Sequence, residues 1–225
     1  MSADGLLLVL EGGEGVGKTT QWQRLSARLA ESGAEVLALR EPGGTPSGDK
    51  IRALLLDPAS QLSSATEALL FAASRAELVV QAVRPALNRG LIVLLDRYLL
   101  STYVYQGVAR GLPMNGLRSI NRFATEGLVP DCTLLLKLPL SVALARTIAR
   151  GAPDRLEQEA RSFHERVARG FDAAGDPAWQ SEHPECGPIV PVSAEGSPDE
   201  VAARCLGVLS AKWPTRFFDF LSASR

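Results

Sequence analysis

The stretch from Leu6 to Thr19 constrains the fold of this chain more than any other part of the sequence. It reads LLLVLEGGEGVGKT, a short apolar run followed by a glycine-rich turn that fits the pattern G-x-x-x-x-G-K-[ST] and then by a helical pattern. Glycines allow a backbone to wrap around an anion, and the amides at the start of the following helix point at it. The stretch therefore predicts a buried strand, a phosphate-binding loop and a helix in direct succession.

The glycine-rich turn predicts a site for a nucleoside triphosphate. In such a loop the Lys18 ammonium reaches the β- and γ-phosphates, and the Thr19 hydroxyl binds Mg²⁺. The candidate residues for the triphosphate are Gly12, Gly13, Glu14, Gly15, Val16, Gly17, Lys18, Thr19 and Thr20. The loop identifies the donor site only, since GTPase switches, ATPase motors and small-metabolite kinases all contain one. Glu14 is unexpected, because a carboxylate within the loop repels phosphates.

Short apolar runs alternate with helical patterns along the rest of the chain. The runs predict buried strands at Leu6–Leu10, Val36–Leu39, Leu91–Leu95, Thr133–Leu138 and Ile189–Val192. Helices are predicted at Thr19–Glu31, Gly48–Leu56, Thr66–Leu87, Leu99–Ala109, Asn115–Glu126, Leu140–Arg150, Leu156–Ala173 and Pro198–Ser210, with irregular segments at Glu41–Gly48 and Gly175–Pro188. This alternation predicts an α/β fold of three layers, with a mainly parallel five-stranded sheet flanked by helices.

Length and composition exclude several classes of protein. A chain of 225 residues predicts one domain over residues 1–225, and a net charge of -1 gives no overall basic field for nucleic acid. No apolar run approaches the ~18 residues of a membrane span, and the N-terminus lacks the basic region of a signal peptide. Cys132, Cys186 and Cys205 are scattered without metal-ligand spacing, which indicates free thiols in a reducing compartment and no structural zinc.

Four further motifs lie on the acceptor side of the predicted site. They read REPGGT from Arg40, LLFAASRAE from Leu69, LLDRYLLSTYVYQG from Leu94 and RGAPDRLEQE from Arg150. With the glycine-rich loop, their order and spacing from about Leu6 to Phe171 resemble the thymidylate kinase family. The resemblance implies a P-loop nucleoside monophosphate kinase fold, ATP as donor, Mg²⁺ as cofactor, thymidine monophosphate (dTMP) as acceptor, and a cytoplasmic homodimer.

The end of the third predicted strand carries two candidate functional residues. Asp96 stands where P-loop proteins place an acidic residue that assists Mg²⁺, so Thr19 and Asp96 are the candidate metal residues. Arg97 offers a planar guanidinium suited to a monophosphate, and the resemblance assigns it to the acceptor phosphate. The alternative is an ordinary ion pair at the end of a strand.

The nucleoside of the acceptor is assigned mainly through the resemblance. Phe71 and Arg75 share one face of a predicted helix, and the resemblance implies that they stack on thymine and contact its O4 atom. The alternative places Phe71 in the core with Arg75 extending to water. The resemblance also places Ser101, Thr102, Tyr105 and Gln106 around the base and deoxyribose, with Tyr105 against the 2′ position. It assigns Arg40 to the acceptor phosphate and implies a cis bond between Glu41 and Pro42.

A mobile loop is predicted at Gly151–Arg155, because Gly151 and Pro153 break a helical pattern. It belongs to a lid at about residues 146–158, in which Arg146, Arg150 and Arg155 flank or occupy the loop. The glycine-rich loop itself contains no arginine, so the resemblance implies the bacterial-type arrangement in which lid arginines act. The candidate catalytic residues are Lys18, Arg97, Arg150 and Arg155. The alternative for the lid arginines is an exposed, charged helix end.

The resemblance therefore predicts phosphorylation of dTMP to thymidine diphosphate by ATP–Mg²⁺, in dTTP synthesis. The alternatives are a kinase for another nucleoside monophosphate, a P-loop switch or regulatory ATPase, and a kinase-like protein without activity. Glu14 is expected to face the acceptor, where it accepts from the sugar 3′-hydroxyl or helps to hold Mg²⁺ and water. Two departures from the family are Lys137, where Asp, Asn or Gln is usual, and Ser193, where Asp is common near the adenine.

Overall fold

A five-stranded parallel sheet forms the centre of the protein, in a computed structural model that describes residues 5–151 and 153–217. Its strands are β1 (Leu6–Glu11), β2 (Val36–Arg40), β3 (Ile92–Asp96), β4 (Cys132–Lys137) and β5 (Ile189–Ser193), in the order β2-β3-β1-β4-β5. All four strand pairings are parallel. The predicted α/β fold with its five strands is confirmed.

Ten α-helices and three other helical segments surround the sheet in the described residues. The α-helices are α1 (Lys18–Glu31), α2 (Pro46–Leu56), α3 (Ser64–Leu78), α4 (Arg84–Asn88), α5 (Leu99–Thr102), α6 (Met114–Thr125), α7 (Leu140–Arg150), α8 (Arg161–Ala174), α9 (Pro177–Glu182) and α10 (Pro198–Lys212). Val79–Val83 and Tyr103–Ala109 are π-helical, and Pro184–Cys186 is a 3₁₀ turn. In the part of the chain that the structure describes, no helix is long and apolar enough to cross a membrane.

Two of the predicted segments differ from the observed ones. The helix predicted from Leu156 begins at Arg161, because the Asp154 carboxylate accepts the backbone N–H groups of Leu156 and Glu157 and holds a turn there. The segment predicted as irregular from Gly175 contains α9 and the 3₁₀ turn. Asp176 caps α9 by accepting from the Ala178 N–H at 3.1 Å, and proline occupies the first helical position.

Each face of the sheet is covered by a separate hydrophobic core. Along β1, Leu7 and Val9 point to one face, where they pack with α3, α5 and α8, while Leu8 and Leu10 point to the other, where they pack with α1 and α10. Every residue of β1 is buried, as expected for a central strand of a parallel sheet with helices on both sides. This arrangement gives the predicted three layers.

The parallel sheet brings the motifs to one edge. Leu10 of β1 and Arg40 of β2 both lie beside Asp96 of β3 in the sheet register. The segments that follow these three strands therefore leave the sheet side by side, at its carboxyl edge, where ligands of open α/β sheets bind.

Candidate active site

A cavity of about 930 Å³ lies at the carboxyl edge of the sheet. Its walls come from the glycine-rich loop, α1, the segment after β2, α2, α3, the segment after β3 and the lid. The predicted site residues that line it are Glu14, Gly15, Gly17, Lys18, Thr19, Thr20, Arg40, Phe71, Arg75, Asp96, Arg97, Ser101, Thr102, Tyr105, Gln106 and the lid residue Arg146. Gly12, Gly13, Val16 and Arg155 are not among the residues that line it. The Arg150 side chain lies outside the described residues.

The glycine-rich loop packs directly on α7. A Cβ atom at Gly15 would lie 2.1 Å from the Ala143 carbonyl oxygen, and its φ of 71° is in the left-handed region, so a side chain is excluded on both counts. Gly17, with a φ of 96°, precedes the first residue of α1. Inside the loop, Lys18 Nζ donates to the Gly13 carbonyl at 2.6 Å. The lysine thus curls over the concave side of the loop.

The Lys18 ammonium is buried and sensitive to its neighbours. Burial and the positive charge of Arg97 together lower the pKa of Lys18 to about 8, although Glu14, Asp96 and Glu11 oppose the change. A phosphate placed against this group favours its protonated form.

Thr19 and Asp96 fit a magnesium ion. The Thr19 hydroxyl lies 3.5 Å from Asp96 Oδ2, and Asp96 Oδ1 is buried without a hydrogen-bond partner among the described residues. Mg²⁺ uses one or two protein oxygens and takes its other ligands from phosphates and water. No group of three or more acidic, histidine or cysteine side chains in the described residues could hold a metal without such ligands.

Arg97 joins the glycine-rich loop to the acceptor side of the cavity. Its Nη2 donates to Glu14 Oε1 at 2.6 Å, and its Nη1 donates to the Gly12 carbonyl at 3.1 Å and to Ser101 Oγ at 3.0 Å. The Tyr105 hydroxyl donates to the same Glu14 oxygen at 2.8 Å. Glu14 therefore contacts two acceptor-side residues, and its charge is balanced by Arg97.

Glu11 is a functional residue that the sequence interpretation missed. It is fully buried at the end of β1, where its carboxylate accepts from the backbone N–H groups of Tyr98 and Ser101 at 2.9 and 3.0 Å, and from Ser101 Oγ at 2.7 Å. Burial raises the pKa of Glu11, and Arg97 opposes this. The carboxylate fixes the start of α5. The signal in the sequence that could have identified Glu11 is a charged residue at the end of an otherwise apolar strand.

Arg75 is buried, and each of its three nitrogens donates to a partner in the protein. Nε donates to Glu41 Oε2 at 2.8 Å, and Nη2 forms an ion pair with the same oxygen at 2.8 Å and donates to the Tyr98 carbonyl at 3.0 Å. Nη1 donates to Thr102 Oγ1 at 3.0 Å and Asn121 Oδ1 at 2.5 Å. The alternative in which Arg75 extends to water is wrong, since the side chain is 2% exposed. The Glu41–Pro42 bond is cis, as the resemblance implies.

The lid segment is attached to α2 and α3. Arg155 Nη2 donates to Glu67 Oε2 at 2.6 Å, its Nε donates to the Leu55 carbonyl at 2.7 Å, and its backbone N–H donates to the Leu56 carbonyl at 3.2 Å. These contacts hold the Arg155 side chain outside the cavity lining. Lys137, one of the two departures from the family, forms an ion pair with Asp172 at 2.7 Å.

Comparisons with known proteins identify relatives of this chain. The family model described as Thymidylate kinase matches residues 10–182. A protein named thymidylate kinase from Synechococcus sp. strain JA-2-3B'a(2-13) is 48% identical, covering 93% of this chain and 96% of that protein. The thymidylate kinase of Deinococcus radiodurans is 51% identical over 75% of this chain and 82% of its own length. That of Thermosynechococcus vestitus is 44% identical, with 93% and 90% covered.

The matched region extends from the end of β1 to α9 and so contains the glycine-rich loop, Asp96, Arg97 and the lid. The relatives match over most of the chain at identities of 44–51%. These matches and the parallel sheet with its loop at the carboxyl edge lead to one conclusion: the chain belongs to the thymidylate kinase family.

Proposed function

We propose that this protein transfers the γ-phosphoryl group of ATP to dTMP and so forms ADP and thymidine diphosphate. The observation that carries the proposal is the single cavity that the glycine-rich loop shares with Arg97, Phe71 and Gln106. A triphosphate donor and a nucleoside monophosphate acceptor can be brought together in such a cavity. The names of the relatives support thymidine monophosphate as the acceptor.

At the donor end, the loop amides and the Lys18 ammonium bind the β- and γ-phosphates of ATP. Thr19 and Asp96 would hold Mg²⁺, which would neutralise the charge that develops on the phosphates. The short Lys18–Gly13 contact keeps the ammonium above the loop before ATP arrives. The Lys18 side chain is therefore already in position for the phosphates before ATP binds.

At the acceptor end, the Arg97 guanidinium binds the phosphate of dTMP. Its contacts with Gly12, Ser101 and Glu14 fix the plane of the guanidinium beside the loop that binds ATP. The attacking atom is an oxygen of the acceptor phosphate, which is already nucleophilic, so the reaction depends on position and charge neutralisation. Arg40, at the end of β2, contributes a second positive charge to this part of the cavity.

The nucleoside lies between α3 and the helix after β3. Phe71 stacks on thymine, and Arg75, Thr102 and Gln106 form the polar wall around it. Arg75 is held rigidly by Glu41, so its contact with the base costs little side-chain entropy. Tyr105 packs against the deoxyribose, with its hydroxyl fixed by Glu14, and leaves no room for a 2′-hydroxyl.

The lid arginines supply further positive charge in the transfer step. Arg150 and Arg155 are the candidates from the sequence, and Arg146 lines the cavity. For Arg155 to reach the phosphates, its side chain must exchange Glu67 and the Leu55 carbonyl for phosphate oxygens. An arginine brought to the moving phosphoryl group is worth ~10³-fold or more in rate. The catalytic role of Arg155 stays a prediction.

The protein acts as a cytoplasmic homodimer of single-domain subunits over residues 1–225, without nucleic acid or membrane partners. Three buried free thiols fit a reducing compartment. Leu69 on α3, Val80 in the following π-helical turn and Phe123 on α6 are large, apolar and 55%, 53% and 87% exposed. Helices α3 and α6 pack on each other, so we assign this face to the contact with a second copy.

Substrate choice tests the proposed function directly. In an assay of ADP release across all nucleoside and deoxynucleoside monophosphates, we expect the highest kcat/KM for dTMP. A higher value for any other monophosphate contradicts the thymidylate assignment. Slow ATP hydrolysis without transfer to any of them indicates a switch or regulatory ATPase instead.

Glu14→Gln tests the contact between the loop and the acceptor side. A glutamine oxygen can still accept from Arg97 and Tyr105 but carries no charge to balance Arg97, so we expect kcat/KM for dTMP to fall about tenfold. The Kd for ATP should change less than about twofold, because the loop binds ATP through its backbone and Lys18. If kcat and KM for dTMP are both unchanged, Glu14 is only a tolerated residue of the loop.

The depressed pKa of Lys18 gives ATP binding a proton signature. At pH 8 about half of the Lys18 side chains in the free protein are neutral, and bound phosphate raises the pKa, so ATP binding takes up roughly half a proton. Below pH 7 the group is already protonated and the uptake disappears. Calorimetric titration in buffers of different ionisation enthalpy measures it. Lys18→Arg, which stays protonated, serves as control; equal uptake in this variant assigns the proton to another group.

Phe123→Asp tests the assignment of the dimer face. A charge in the centre of a buried apolar contact is costly, so sedimentation should show the mass of one subunit for this variant and of two for the natural protein. Ile148→Asp is the matched control, because Ile148 is 80% exposed on α7, outside this face. A dimer that persists in Phe123→Asp, or one that dissociates in Ile148→Asp, contradicts the assignment.

A further inference from the structure

Glu67 is a buried carboxylate with no role in the proposed chemistry. It lies near the start of α3 and is 1% exposed. Its two oxygens accept from three side chains on two other segments: Gln106 in the π-helical segment after α5, Arg110 directly after that segment, and Arg155 in the lid. Burying a carboxylate is costly, so a residue of this kind needs an explanation.

The contacts are divided between the two carboxylate oxygens. Oε1 accepts from Gln106 Nε2 at 2.9 Å and from Arg110 Nε at 3.2 Å. Oε2 accepts from Arg110 Nη2 at 3.0 Å and from Arg155 Nη2 at 2.6 Å. Burial alone would raise the pKa of Glu67, but the hydrogen bonds from Arg110, Gln106 and Arg155 bring it below its ordinary value. Glu67 is therefore ionised and can only accept.

An acceptor-only partner fixes which way the Gln106 amide faces. The NH₂ group of Gln106 must point to Glu67, which directs its carbonyl oxygen away from Glu67. Gln106 is 1% exposed and lines the cavity. The carbonyl oxygen is then the end of the amide that is left to face a ligand in the cavity.

We propose that Glu67 is a positioning residue for base specificity: it holds the Gln106 carbonyl toward the base, and so selects a base that carries an N–H at position 3. This inference rests on the proposed function. Thymine has N3–H, a donor that matches the carbonyl. Cytosine has an unprotonated N3 in the same place, which is an acceptor, and two facing acceptors leave a buried polar group without a partner.

The same contacts specify what a neutral side chain at position 67 would do. In Glu67→Gln, the carbonyl oxygen takes the place of Oε2, because two arginine N–H groups donate there at 3.0 and 2.6 Å, whereas Oε1 receives, besides Gln106, only the longer Arg110 Nε contact of 3.2 Å. The new NH₂ group then takes the place of Oε1, beside Gln106. Gln106 must turn its own carbonyl toward it and present NH₂ to the base. The polarity of the contact with position 3 is thereby reversed.

The test compares dTMP with 5-methyl-dCMP, which keeps the methyl group, sugar and phosphate of dTMP and changes only the polar edge of the base. The natural protein should prefer dTMP. In Glu67→Gln we expect the ratio of the two kcat/KM values to fall at least about tenfold, with kcat/KM for 5-methyl-dCMP rising. A variant in which both values fall by the same factor has lost structure only, and this overturns the proposal.

Two further variants complete the design. Glu165→Gln removes a glutamate charge that is exposed on α8 and paired with Arg161, so the ratio should stay unchanged. Gln106→Met removes the amide that contacts the base and leaves Glu67 in place, so the ratio of the two kcat/KM values should fall as well. In the double variant, Glu67→Gln should lower this ratio no further. An unchanged ratio in Gln106→Met overturns the proposal even if Glu67→Gln does not fold. A natural protein that prefers another monophosphate refutes the proposed function instead.

Discussion

The hydrogen-bonded ion pair between Arg97 and Glu14 is the contact on which the rest of the site depends. It joins the segment after β3 to the loop after β1, which are 83 residues apart in the chain. Arg97 has a φ of 74°, a conformation that costs a non-glycine residue about 1–2 kcal/mol. Its backbone N–H donates to the Leu10 carbonyl at 2.9 Å, so β1 itself maintains this turn. The donor and acceptor ends of the cavity therefore keep a fixed separation.

Three buried glutamates organise the remaining wall of the cavity, each by accepting from residues on another segment. Glu11 holds the start of α5, Glu41 holds Arg75, and Glu67 holds Gln106 with Arg110 and Arg155. A buried carboxylate that loses its partners costs about 3–5 kcal/mol, so each one stabilises a single arrangement of the segments it joins. The polar wall is rigid because any other arrangement would leave these carboxylates buried without partners.

The sequence predicted what is local and missed what depends on contact between distant segments. The strands, the glycine-rich loop, and Asp96 with Arg97 follow from short patterns that are read in order along the chain. The pairing of Arg75 with Glu41 and of Arg155 with Glu67 depends on which faces of α3 meet the segment after β2 and the lid. The late start of α8 depends on the Asp154 carboxylate, which competes for the backbone N–H groups of a helical turn.

The charge of the cavity explains why a site whose glycine-rich loop contains a carboxylate and no arginine requires positive charge from groups outside the loop. Six cationic side chains and six carboxylates are found among the described residues that line it, so its formal charge is zero. Several of the cations are already committed, since Arg75 pairs with Glu41 and Arg97 with Glu14. Two nucleotides bring several negative charges into this space, and the transferred phosphoryl group carries no positive charge that could offset them. Under the proposed function, the missing positive charge would come from the metal ion and from the lid arginines, which can arrive with or after the substrates.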